Sequence, residues 1–194
     1  GGQRSAAEQG PPQAVIDQLI GLYNQGQSQA IISQTHELTA QYPRSFILWN
    51  ILGVANKSLG NIAEATNAFM KVTQYNPHYA DGYSNLGVAL GDQGQLDEAI
   101  AAYKKAIQLK PGFFEAYNNM GTALRRKGSI EECIKSYNKA IALKPDYIEA
   151  YNNLGVAMAK SGKLEEAIAA YTKALAIKPD YAEAYSNMGV ALKD

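Results

Sequence analysis

The chain has one cysteine, Cys133, so no disulfide can form within it. Charge of one sign is not in excess, because 18 Lys plus Arg balance 18 Asp plus Glu. That balance leaves no electrostatic footprint for nucleic acid and no acidic tail. No run of about 18 apolar residues occurs, so no segment reads as a membrane-spanning helix. A secretory apolar segment is also missing near the start. Gly1-Gly2 lacks an initiator Met and reads as a processed end. A cytoplasmic setting fits these absences and is the expectation.

Chemistry-bearing patterns are scarce as well. His36 and His78 are the two histidines, and they lie far apart, so no His/Cys/Asp/Glu spacing suits a metal. There is no phosphate loop, nucleophile elbow or dinucleotide fingerprint. The reading is of a chain with no catalytic residues and no cofactor.

What the chain has instead is a beat. Gly53, Gly87, Gly121, Gly155 and Gly189 follow one another at intervals of 34, as do Pro43, Pro77, Pro111, Pro145 and Pro179. A period of this length with helical hydrophobic spacing marks stacked helical hairpins. The units run 46–79, 80–113, 114–147 and 148–181, with a degenerate unit at 12–45 and a first helix alone at 182–194. Residues 12–194 are thus expected to form one repeat domain, and 1–11 a disordered tail.

Within 114–147, Tyr117, Met120, Gly121 and Leu124 share one helical face. Gly128 stands where a left-handed cap closes the first helix. Ser129 precedes Glu132 at capping-box spacing for the second. Ile130, Cys133, Ile134, Tyr137, Ala140 and Ile141 form its buried face, and Pro145 ends it. Gly121 is expected to face the small Cys133, so that the two backbones approach closely; Gly53–Ala65, Gly87–Ala99 and Gly155–Ala167 are the equivalent pairs. Trp49, Tyr83, Tyr117, Tyr151 and Tyr185 form one aromatic column, and Phe69, Tyr103, Tyr137 and Tyr171 another. Both read as core packing rather than as a stacking platform for bases. Cys133 reads as buried and inert.

Tyr151, Leu154, Gly155, Ala167, Tyr171, Ala174 and Pro179 resemble the tetratricopeptide repeat pattern column by column. The resemblance covers 46–194 well; over 12–45 it rests on Gly26, Ile31, Leu38 and Pro43, with Leu19 in the glycine column. It implies an all-α, right-handed superhelical solenoid of antiparallel helix pairs, with the first helix of each pair lining the concave side. It also implies a protein or peptide as partner rather than nucleic acid or membrane.

Polar columns on the first helices are the candidate binding residues. Asn85, Asn119, Asn153 and Asn187 recur with the period, and Ile51 breaks their column. Beside them run Asn50, Ser84, Asn118, Asn152 and Ser186. An amide offers donors and an acceptor that match a peptide group whatever its side chain. The alternative is that these amides brace neighbouring helices. Asp81, Glu115, Glu149 and Glu183 form an acidic column, which either favours basic partners or complements helix dipoles. Lys57, Arg125, Arg126, Lys160 and Lys193 lie towards the other end of the same helices, so the groove is expected to be mixed in charge. Val54, Val88, Thr122 and Val156 stand one turn after Asn50, Ser84, Asn118 and Asn152, so no Lys–Asn pair builds the family's carboxylate clamp for chaperone tails.

The asparagine columns are similar to those of O-linked N-acetylglucosamine transferases, and the linkers to repeats that precede transferase domains, sulfotransferases included. The alternative function is therefore the substrate-recognition arm of a larger transferase, with the present chain a fragment of it. Met188, Val190 and Leu192 are not a polar set, and end-to-end or swapped dimers are expected through that face.

Overall fold

The computed structural model describes residues 10–192, so the expected tail over residues 1–9 and the proposed groove cation Lys193 lie outside the described residues. Eleven α-helices and no strand occur among the described residues. They are α1 (Gln13–Asn24), α2 (Ser28–Gln41), α3 (Phe46–Ser58), α4 (Ile62–Tyr75), α5 (Ala80–Asp92), α6 (Leu96–Leu109), α7 (Phe114–Lys127), α8 (Ile130–Leu143), α9 (Ile148–Lys160), α10 (Leu164–Ile177) and α11 (Ala182–Ala191). The class is the one expected: all-α, with successive helices packed in adjacent pairs. The chain divides into two compact units, 1–95 and 96–194.

In the first unit, α3 packs on α4, α2 on α3 and α4 on α5, while α1 also reaches α3. Leu19, Ile31, Leu48, Phe69 and Val72 are its fully buried anchors. In the second unit, α7 packs on α8 and α9 on α10; α9 also touches α7 and α11, so its first helices lie side by side. Tyr137, Tyr171, Cys133 and Ala167 are buried there.

The punctuation follows from backbone chemistry. Gly128 sits at φ 89°, a conformation that side chains disfavour, and the Ser129 N–H donates across it to Leu124 O at 2.9 Å. The second helix does not begin with the expected capping box. Ser129, at φ −83° and ψ 68°, makes no side-chain cap bond. Glu131 and Glu132 in the first turn of α8 complement its dipole instead. Lys144 is extended, as a residue before proline must be, and the helix ends there.

The glycine notch is real, but its occupant is not the small residue. A Cβ on Gly121 would lie 2.6 Å from the Tyr137 ring; on Gly155, 2.4 Å from Tyr171; on Gly53, 2.6 Å from Phe69. The aromatic column of the second helix lays its rings into the missing side chain of the first. A planar ring needs the whole depth of a glycine, whereas Cys133 or Ala167 would not. The two aromatic columns therefore differ. Phe69, Tyr137 and Tyr171 are buried, whereas Tyr83, Tyr117 and Tyr151 are half-buried and Tyr185 is exposed.

Candidate binding groove

Adjacent positions on a helix point about 100° apart, so two neighbouring asparagines cannot face the same way. Here that offset makes a diagonal ladder. Asn85 Nδ2 on α5 donates to Asn50 Oδ1 on α3 at 3.1 Å. Asn153 on α9 donates to Asn118 on α7 at 3.0 Å, and Asn187 on α11 to Asn152 on α9 at 3.0 Å. Each bond spans 35 residues, one period plus one. The acceptors Asn118 and Asn152 are buried, at 6% and 2% exposure, while the donors Asn85, Asn153 and Asn187 are half-buried. Asn119, also half-buried, accepts a longer 3.4 Å bond from Asn118 in its own helix.

These bonds use one N–H of each donor asparagine. Its second N–H and its carbonyl oxygen make no further protein bond among the described residues. The column of acceptors thus braces consecutive first helices, and the column of donors keeps an unspent donor–acceptor pair at the surface.

The acidic column is not a free-standing stripe either. Asn152 Nδ2 donates to Glu183 Oε1 at 2.9 Å, and the Tyr181 hydroxyl donates to Glu183 Oε2 at 3.0 Å. Burial, then the Glu183 carboxylate, pushes the Tyr181 phenol up to about 12. Burial, then Glu149 and Glu115, does the same for Tyr147, again to about 12. Tyr79 is raised by burial and then by Asp81. In each case the linker tyrosine precedes a first-turn acid by two residues, so the acids and phenols share one electrostatic neighbourhood.

Arg125 lies differently from a cation held out to solvent. Its residue is half-buried, and its Nε is buried without a hydrogen-bond partner. It faces Tyr137, whose hydroxyl also shares a 3.1 Å hydrogen bond with Thr122. Burial raises the Tyr137 phenol, with Thr122 and Arg125 pulling the other way.

Recesses open beside the amide pairs. One of about 260 Å³ is lined by Leu19, Ile20, Tyr23, Asn50, Ile51 and Val54. A second, of about 350 Å³, shares Tyr23 and Val54 with it and adds Lys57, Asn85 and Val88. In the second unit a recess of about 180 Å³ lies between Val156, Lys160, Tyr171, Asn187 and Val190. Apart from the backbone of its own helix and its chain neighbours, no atom of the described residues lies within 4 Å of where a Gly189 Cβ would be, and Tyr185, Val190 and Leu192 are exposed. Among the described residues no group of three or more His, Cys, Asp or Glu is placed to hold a metal, and no helix is long and apolar enough to cross a membrane.

Sequence reasoning missed one feature of this face. Lys110, Lys144 and Lys178 each place Nζ over the ring of the linker aromatic three residues on, at 4.2, 5.5 and 5.8 Å. The signal was present as the repeated Lys-Pro before Phe113, Tyr147 and Tyr181.

Comparison with known proteins agrees with this architecture. A family model described as TPR repeat matches residues 89–128, 121–162 and 159–194, and others described as tetratricopeptide repeat match 68–101 and 47–79. No curated protein matches the chain. Among solved structures, a MamA protein is 30% identical over 76% of this chain and 81% of its own, with a TM-score of 0.69. TTC0263, a thermophilic TPR protein of Thermus thermophilus, is 24% identical over 94% and 99%, with a TM-score of 0.73. YrrB, described as a TPR protein with an unusual peptide-binding site, is 20% identical over 88% of both chains, with a TM-score of 0.74. The glycine notches, the proline stops and these matches lead to one conclusion: the chain belongs to the tetratricopeptide repeat family.

Proposed function

We propose that the chain is a protein-interaction module that holds an extended peptide along the face of its first helices. The observation that carries this reading is the unspent donor and acceptor on Asn85, Asn153 and Asn187 after each has bonded to the preceding repeat. A peptide group has one N–H and one C=O, so a row of such amides grips backbone without reading side chains. Asn119 stands in the same sequence column. Asn50, Asn118 and Asn152 set the orientation of that row, with Asp81, Glu115 and Glu149 on its first-turn side and Arg125 on its last-turn side. The partner is a protein or peptide; nothing in the charge balance favours nucleic acid, and no membrane role is proposed.

The test is the double substitution Asn119→Ala/Asn153→Ala, assayed on an immobilised peptide library beside the parent chain. Each lost amide contact is expected to cost about tenfold in affinity for bound peptides. The helical signal should stay unchanged. Undiminished peptide capture by a folded double variant would overturn the proposal.

A second reading makes the same face the substrate-recognition arm of a larger transferase, carried by the same asparagine row. It differs in that captured peptides would be modified by the whole enzyme. We further propose that copies associate through the exposed Tyr185, Val190 and Leu192, an association that sedimentation at rising concentration would read directly.

A further inference from the structure

The two recesses of the amino-terminal unit are one slot, because Tyr23 and Val54 line both. Its make-up departs from the rest of the first-helix face. Where later repeats carry an acid and an asparagine, α3 carries Ile47 and Ile51. Ile20 and Tyr23, 46% and 52% exposed, line the first recess with Ile51.

Polar groups in the slot are few and arranged. Asn50 lines one recess and Asn85 the other, joined by their 3.1 Å bond. That bond leaves the Asn50 N–H groups, one Asn85 N–H and the Asn85 carbonyl oxygen with no other protein partner among the described residues. Lys57 lines the second recess. No carboxylate lines either recess, and Lys57 has no ion pair among the described residues. An apolar wall, an amide pair and an unmatched cation make complementary demands on an occupant.

We infer that this slot binds an extended peptide carrying an aliphatic side chain and, about three residues away, an acidic one. The inference rests on the peptide-binding reading and assigns its side-chain preference. The spacing follows from the scaffold. Ile51, in the aliphatic wall, and Lys57 are six positions apart on α3, which is about 9 Å along the axis. An extended chain covers about 3.3 Å per residue, so three residues span that distance. The aliphatic side chain packs on Ile20, Ile51 and Val54, the intervening backbone meets Asn50 and Asn85, and the carboxylate meets Lys57.

The probes are short Ser/Gly peptides with leucine or serine at one position and glutamate or lysine three residues on. They are titrated into the full chain carrying labelled isoleucine and valine methyl groups. The leucine–glutamate peptide should bind about tenfold tighter than its serine–glutamate counterpart and shift the methyls of Ile20, Ile51 and Val54. Lys57→Glu should reverse the charge preference in favour of the lysine peptides while leaving the leucine preference intact. Equal affinity for all the peptides, or an unchanged order in Lys57→Glu, overturns the inference. Methyl shifts that follow protein concentration alone would assign the slot to a second copy and overturn it too. If all the peptides bind alike but Asn119→Ala/Asn153→Ala weakens them, the asparagine row stands and the slot's preference falls. If the leucine–glutamate preference holds while the immobilised library binds that double variant undiminished, the slot stands and the row falls.

Discussion

Two glycines of the same register position have opposite surroundings, and that contrast makes the notch measurable. A methyl group on Gly155 would sit 2.4 Å from the buried Tyr171 ring, whereas one on Gly189 meets no neighbouring side chain of the described residues within 4 Å. Both lie inside helices, where alanine outdoes glycine by about 0.5–1 kcal/mol. At Gly155 that gain is outweighed by overpacking of about 1–3 kcal/mol. Gly155→Ala should therefore lower the melting temperature, and Gly189→Ala should leave it unchanged or raise it. Equal melting temperatures for the two variants would remove the ring-in-notch account. Cys133 offers a second test at this scale. Burial pushes its thiol up to about 11 from the ordinary 9.0, with Arg125, Tyr137 and Lys160 pulling weakly the other way. The folded chain keeps a proton that the unfolded chain gives up, so this contribution to stability is complete below pH 9 and is lost as the pH rises towards 11. At neutral pH the thiol should resist alkylation until the chain unfolds. Between pH 9 and 11, Cys133→Ala should lose stability less steeply than the parent.

Among the helices, the asparagine rungs decide how consecutive first helices are held. Asn152 is buried at 2% exposure, accepts from Asn187 and donates to Glu183, so it ties α9 to α11 twice. Asn152→Ala removes two hydrogen bonds made from a buried side chain and empties the space that side chain fills, at a cost of about 1–3 kcal/mol. Asn153→Ala removes one bond from a half-buried side chain and should cost about 0.5–1.5 kcal/mol. Denaturant midpoints that fall equally for the two would contradict this division of labour. The same element shows what a sequence discloses. The 34-residue register, the left-handed Gly128 and the extended Lys144 were legible because each is a local backbone demand. The partner of Gly121 was not, because two columns on the second helix, Cys133 and Tyr137, satisfy the same periodicity and only packing depth separates them. The direction of each amide was also hidden, since a bond reaching from one repeat to a different column of the repeat before it has no signature in either column. The capping box at Ser129 misled for the opposite reason: the pattern is present, and the first turn is served by backbone and by Glu131 and Glu132 instead.

At the scale of the molecule, a repeat chain distributes its stability over neighbours rather than in one core. Trp49 is the single tryptophan, on α3 of the first unit, with its indole N–H donating to Pro43 O at 2.8 Å. Its fluorescence therefore reports the first unit, while helical dichroism reports the helices of both. Gly155 lies in the second unit, on α9. Gly155→Leu should overpack the Tyr171 notch and pull the denaturant midpoint seen by dichroism below that of the parent. Where stability is a sum of local and nearest-neighbour terms, the Trp49 midpoint moves much less, and the two probes, coincident or nearly so in the parent, separate in the variant. A Trp49 midpoint that falls in step with the dichroism would mean that the whole array unfolds as one block. A ligand in the proposed amino-terminal slot would then stabilise the α9–α10 pair as much as its own walls.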